Sequence, residues 1–68
     1  MTYYGLTKTG KQLAKSRTET SDELKVLRFI FDSPYRRATS DELDCAVEGG
    51  HLIADRLVAQ GYVVKISG

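Results

Sequence analysis

The run Leu57-Val58-Ala59-Gln60-Gly61-Tyr62-Val63-Val64-Lys65-Ile66 changes character at one residue. Up to Gln60 the apolar residues keep helical spacing. Gly61 suits the left-handed residue that ends a helix without a Cβ clash. Tyr62, Val63, Val64 and Ile66 then favour a pleated strand. No linker intervenes, so the sequence predicts a helix that passes directly into a strand. Working back, that helix runs from about His51, with Ile53, Ala54, Leu57 and Val58 inward. Glu48-Gly49-Gly50 is a tight turn before it.

Two earlier helices open on the same pentapeptide, Thr-Ser-Asp-Glu-Leu, at Thr20 and at Thr39. At Thr20, Thr20 and Glu23 fit a capping box, in which each side chain satisfies an orphan backbone N–H. The residues that follow the two copies diverge, so one capping solution is used twice and no structural repeat is implied. The first helix extends to about Asp32, where Ser33-Pro34 stops it. Leu24, Leu27, Ile30 and Phe31 form its core stripe, with Val26 and Phe29 on a second stripe. Tyr35 to Ala38 form a turn carrying Arg36 and Arg37. The second helix is short, about Ser40 to Val47, with Leu43, Ala46 and Val47 inward.

At the N-terminus, Thr2 to Leu6 favour a strand. Thr7 is placed to cap a helix over about Lys8 to Ser16. Leu6, Gly10, Leu13 and Ala14 share one face; Lys8, Lys11 and Lys15 share another. Gly10 costs roughly 1 kcal/mol of helix propensity, which a close backbone contact beneath it would explain. Arg17 to Glu19 form a polar connection. The chain thus predicts a single domain over residues 1–68, mainly α with a small two-stranded β-sheet. Its terminal strands pair antiparallel, Tyr3-Tyr4 against Tyr62 to Ile66, within one chain or between two.

With these elements placed, nearly the whole chain resembles the winged helix-turn-helix superfamily. Leu24 to Phe31 looks like the first helix, Thr39 to Val47 the second, Gly50 to Gln60 the recognition helix, and Gly61 to Ile66 the first wing strand. In many prokaryotic members a second wing strand follows, then a Leu-Thr-x-x-Gly motif opening a C-terminal helix. Here that motif is Leu6-Thr7-Lys8-Thr9-Gly10, followed by Lys11, Leu13 and Ala14. It stands first in the chain. The strand order therefore looks permuted, or the tail of one domain precedes the next; close termini make permutation physically easy.

The resemblance implies a transcription regulator that binds double-stranded DNA with its last helix in the major groove. His51, Leu52, Asp55 and Arg56 are the exposed positions of that helix. Arg56 can read guanine or hold a phosphate, His51 can contact a phosphate or a base edge, and Leu52 can touch a thymine methyl. Asp55 repels phosphates. Arg36 and Arg37 would support the contact, and so would Lys8, Lys11 and Lys15 unless those lysines are simply a solvated face. The competing reading is a protein-interaction or dimerisation module using Val26 and Phe29. Those two residues can instead pack under the N-terminal helix through Leu13.

Composition narrows the classes. The 68 residues carry a formal net charge of +1, so DNA binding would rest on where charges lie and not on their sum. So small a chain buries little core, which makes a homodimer a natural source of added stability. Cys45, the single cysteine, reads as a small core residue beside His51 and not as half of a nucleophilic pair. Metal-ligand spacing and phosphate-cradling glycine motifs are lacking, so neither an enzyme nor a cofactor is expected. No run spans a bilayer and no signal peptide is evident, which leads to an intracellular, cytoplasmic expectation.

Overall fold

The computed structural model describes residues 2–16 and 21–67. Strand β1 (Thr2–Leu6) leads into α1 (Lys8–Ser16). Helix α2 (Asp22–Asp32) ends in a 3-10 turn (Pro34–Arg36) that enters β2 (Arg37–Thr39). Then come α3 (Ser40–Ala46), α4 (Gly50–Gln60) and β3 (Val63–Ser67).

Local chemistry sets most of these boundaries. Thr7 Oγ1 accepts the Gly10 N–H at 3.1 Å and donates to the Gly61 carbonyl at 2.7 Å. One threonine therefore caps α1 and ties it to the end of α4. Ser21 caps α2, accepting the Leu24 N–H at 3.4 Å. Thr20, expected as half of a capping box with Glu23, lies outside the described residues, as does the connection over 17–19. The second copy of the pentapeptide does form a full box. Glu42 N–H bonds Thr39 Oγ1 at 3.2 Å, and Thr39 N–H bonds Glu42 Oε1 at 2.9 Å. Gly61 ends α4 at φ 86°, as its sequence position predicts.

The sheet has three antiparallel strands in the order β2-β1-β3, not two. The terminal strands pair within the chain, with Tyr3 opposite Ile66 and Tyr4 opposite Lys65. Thr2 lies opposite Ser67, so the two ends of the described chain are neighbours. β3 begins at Val63, and Tyr62 belongs to the turn before it. The additional strand is Arg37–Thr39, within and beyond the segment expected as a turn, and it pairs Gly5 with Arg37 and Tyr3 with Thr39. Its three residues are too few to show a period of two, and only the free edge of β1 makes them a strand.

The core gathers Leu24, Val26, Leu27 and Ile30 of α2 with Leu43, Val47, Ile53, Ala54 and Leu57. Tyr4, Leu6, Ala14, Ala38 and Val63 complete it from the sheet side and α1. One open alternative is decided and three expectations change. Val26 is 0% exposed, so it offers nothing to a partner. α2 touches α1, α3, α4, β1 and β2, which buries Leu24, Val26, Leu27 and Ile30. Phe31 and Phe29 are only half-buried against the core. Cys45 and Ala46 are exposed, although both were expected inward. α3 has seven residues and buries only Leu43; Val47 then turns inward in extended conformation just after the helix ends.

Candidate nucleic-acid interface

Alternation along β1 decides which cations share a surface. Tyr4 points toward the helices, and its hydroxyl donates to Asp55 Oδ1 of α4 at 2.7 Å. Its neighbours Tyr3 and Gly5 therefore face the other way, with their cross-strand partners Thr39, Arg37, Val64 and Ile66. The contact residues expected from sequence divide accordingly. His51, Leu52 and Arg56 lie on α4. Arg36, Arg37 and Lys11 gather on the outer side of the sheet.

The exposed face of α4 is electrostatically answered from within the fold. Asp44 accepts the His51 N–H at 2.9 Å, and its carboxylate lies 2.7 Å from His51 Nδ1. These bonds from His51, the backbone one first, hold the Asp44 carboxyl below its ordinary range. An acid thus sits over the N-terminus of α4, where a phosphate would otherwise be drawn. Arg56 Nη2 lies 3.7 Å from Glu23 Oε1. Asp55 receives Tyr4 and lies 3.6 Å from Lys65 Nζ. Burial, and then the bond to Asp55, push the Tyr4 hydroxyl up to about 12. Leu52 stands out from this face, 60% exposed.

The outer surface is different. One recess brings together Lys11 of α1, Arg36 and Arg37, and the sheet residues Gly5, Val64 and Ile66, with Tyr35 on its wall. No carboxylate of the described residues lines it. Gly5 makes the recess possible: a Cβ there would lie 3.3 Å from Ile66 Cδ1 and 3.5 Å from Val64 Cγ2. Phe31 extends the basic tract. The Arg36 guanidinium lies 4.2 Å from the centre of the Phe31 ring and also donates to the Phe31 carbonyl. Lys15 Nζ lies 5.7 Å from the same ring. Lys8 is exposed on α1, one turn from Lys11. Beyond Tyr35 a second recess holds Tyr3, Pro34, Arg37 and one acid, Glu42, which the capping box already fixes.

Sequence reasoning missed Tyr3, Gly5, Tyr35, Val64 and Ile66 as parts of this surface. The aromatic-basic run Tyr35-Arg36-Arg37 was the available signal. What the run does not announce is its backbone: Tyr35 at φ 59° and Arg36 at φ 57° are both left-handed without being glycine.

Among the described residues no three His, Cys, Asp or Glu side chains converge as a metal site requires. No helix among them is long and apolar enough to cross a membrane. No protein-family model, curated protein or solved structure matches the chain.

Proposed function

We propose that the chain is a small double-stranded-DNA-binding protein of permuted winged-helix form, acting in transcription regulation. It holds the phosphate backbone through Lys8, Lys11, Lys15, Arg36 and Arg37, and less through α4. The carrying observation is the recess that joins Lys11 to Arg36 and Arg37, with no acid among its described lining residues. The permuted form is supported by β1, which lies beside β3 where a second wing strand belongs, with α1 following it. The paired ends Thr2 and Ser67 then fall where a wing loop would stand. The weaker role for α4 follows from Asp44, Glu23 and Asp55, which sit against His51, Arg56 and Lys65.

The test is titration of mixed-sequence duplex DNA at two salt concentrations. If all five cations meet phosphates, log K falls against log salt with a slope of about −4 to −5. Lys11→Glu and Arg37→Glu each weaken binding more than Arg56→Ala does. A slope near zero, or a dominant loss from Arg56→Ala, refutes this placement.

A second reading has its own observation. Phe29, Cys45 and Ala46 line a shallow apolar recess edged by Asp41 and Glu42, a surface fit for protein association. It predicts that Ala46→Arg changes the association state in solution while the fold persists.

A further inference from the structure

Tyr35 is the most exposed large hydrophobic residue among those described, at 93%. It also has a left-handed backbone that its β-carbon disfavours, and Arg36 repeats that conformation. Burial gives nothing back for this strain. The turn is nevertheless held on both sides. The Arg36 N–H bonds the Ser33 carbonyl at 3.0 Å, the Arg36 side chain is seated on Phe31, and Arg37 is paired to Gly5. The result is a flat apolar ring standing out from a fixed turn. It lines both the Lys11–Arg36–Arg37 recess and the Tyr3–Arg37 recess. Strain retained at an exposed residue is a mark of a functional position.

An aromatic ring set among cations complements a ligand in which flat aromatic faces alternate with anions. A nucleic-acid strand has that chemistry. In closed duplex the base faces are already stacked on one another, and only phosphates and base edges are offered. We propose that this surface prefers DNA containing unpaired bases, with one such base stacked on Tyr35 and the flanking phosphates held by Lys11, Arg36 and Arg37. The inference rests on the DNA-binding reading above and adds the substrate class to it.

The experiment compares a closed duplex with the same duplex carrying a short single-stranded gap, each titrated with the wild-type chain, Tyr35→Gly and Tyr35→Phe. The wild type binds the gapped DNA about tenfold or more tightly than the closed duplex. Tyr35→Phe keeps that preference. Tyr35→Gly loses it, its affinity for the gapped DNA falling to about that for the closed duplex. It also folds at least as stably, since glycine accepts φ 59° without strain. Equal wild-type affinity for both DNAs, or a preference that survives in Tyr35→Gly, overturns the role of Tyr35 and leaves the phosphate contacts standing. No binding to either DNA overturns both.

Discussion

Replacing Gly10 by alanine tests how α1, with its three lysines, is held to the domain. A β-carbon at Gly10 would lie 2.0 Å from the Tyr62 carbonyl oxygen, where real side chains essentially never come closer than 3.0 Å. The helix or the turn must therefore separate by about 1.0 Å. No rotamer relieves the clash, because its partner is backbone. The same carbonyl accepts the Thr7 N–H at 3.1 Å, so separation also weakens that bond. Overpacking of this kind costs about 1–3 kcal/mol. The hydrogen bond contributes about 0.5–1.5 kcal/mol. Against these, alanine gains about 1 kcal/mol of helix propensity. The net loss is about 0.5–3.5 kcal/mol, or roughly 2–28 °C in Tm for a domain of this size. Urea and thermal unfolding followed by far-UV circular dichroism measure it. Gly5→Ala is the contrast, because its nearest neighbour at 3.3 Å is the flexible end of Ile66, and its loss should be clearly smaller. A Gly10→Ala chain as stable as the parent would refute the reasoning, since propensity would then outweigh contact.

Other outcomes follow from burial and charge. Leu27 and Leu57 are each 1% exposed, and truncating either to alanine should remove about 2–5 kcal/mol; a denaturant midpoint shift worth less than about 1 kcal/mol would contradict the packing. Val26→Asp should unfold the chain outright by placing an unpaired charge in the core, visible as loss of the helical dichroism. Tyr4 ionises near 12 when folded but near 10.0 when unfolded, so only the unfolded state gives up that proton in between. Stability should be full below pH 10 and fall as pH rises toward 12, and Tyr4→Phe should flatten that decline. Asp44 has the opposite sign. Its folded carboxyl is held below the ordinary value of 3.8, so its contribution is present above that pH and fades as acid protonates it. Asp44→Asn should blunt the acid side of the stability profile, and an unchanged profile would show that the His51 contact is energetically idle.

Much of the architecture was legible because its causes are local. The Thr39–Glu42 box, the Gly61 stop and the Thr7 cap each depend on a few adjacent residues meeting orphan backbone groups. Gly10 is a stronger case. A glycine inside a helical pattern implied a backbone beneath it, and the Tyr62 carbonyl is that backbone. β2 was not legible, because three residues without alternation become a strand only through a partner far away in the chain. The exposure of Cys45 and Ala46 escaped for a related reason. Helical periodicity says which residues share a face, but not where a short helix stops being covered.

The local pattern of apolar, capping and glycine residues sufficed for the helices and for the strand character of both chain ends, since each of those choices is made within a turn or two of chain; that the two end strands pair within one chain was a tertiary outcome. The composition of the candidate surface was a tertiary matter. Lys11, Arg36 and Arg37 stand together, and apart from Arg56, because Tyr4 points inward to Asp55 and the pleat then sends Gly5 and Arg37 outward. Shifting the pairing of β2 by one residue would turn Arg37 to the other face and away from Lys11. Only the paired sheet decides that register.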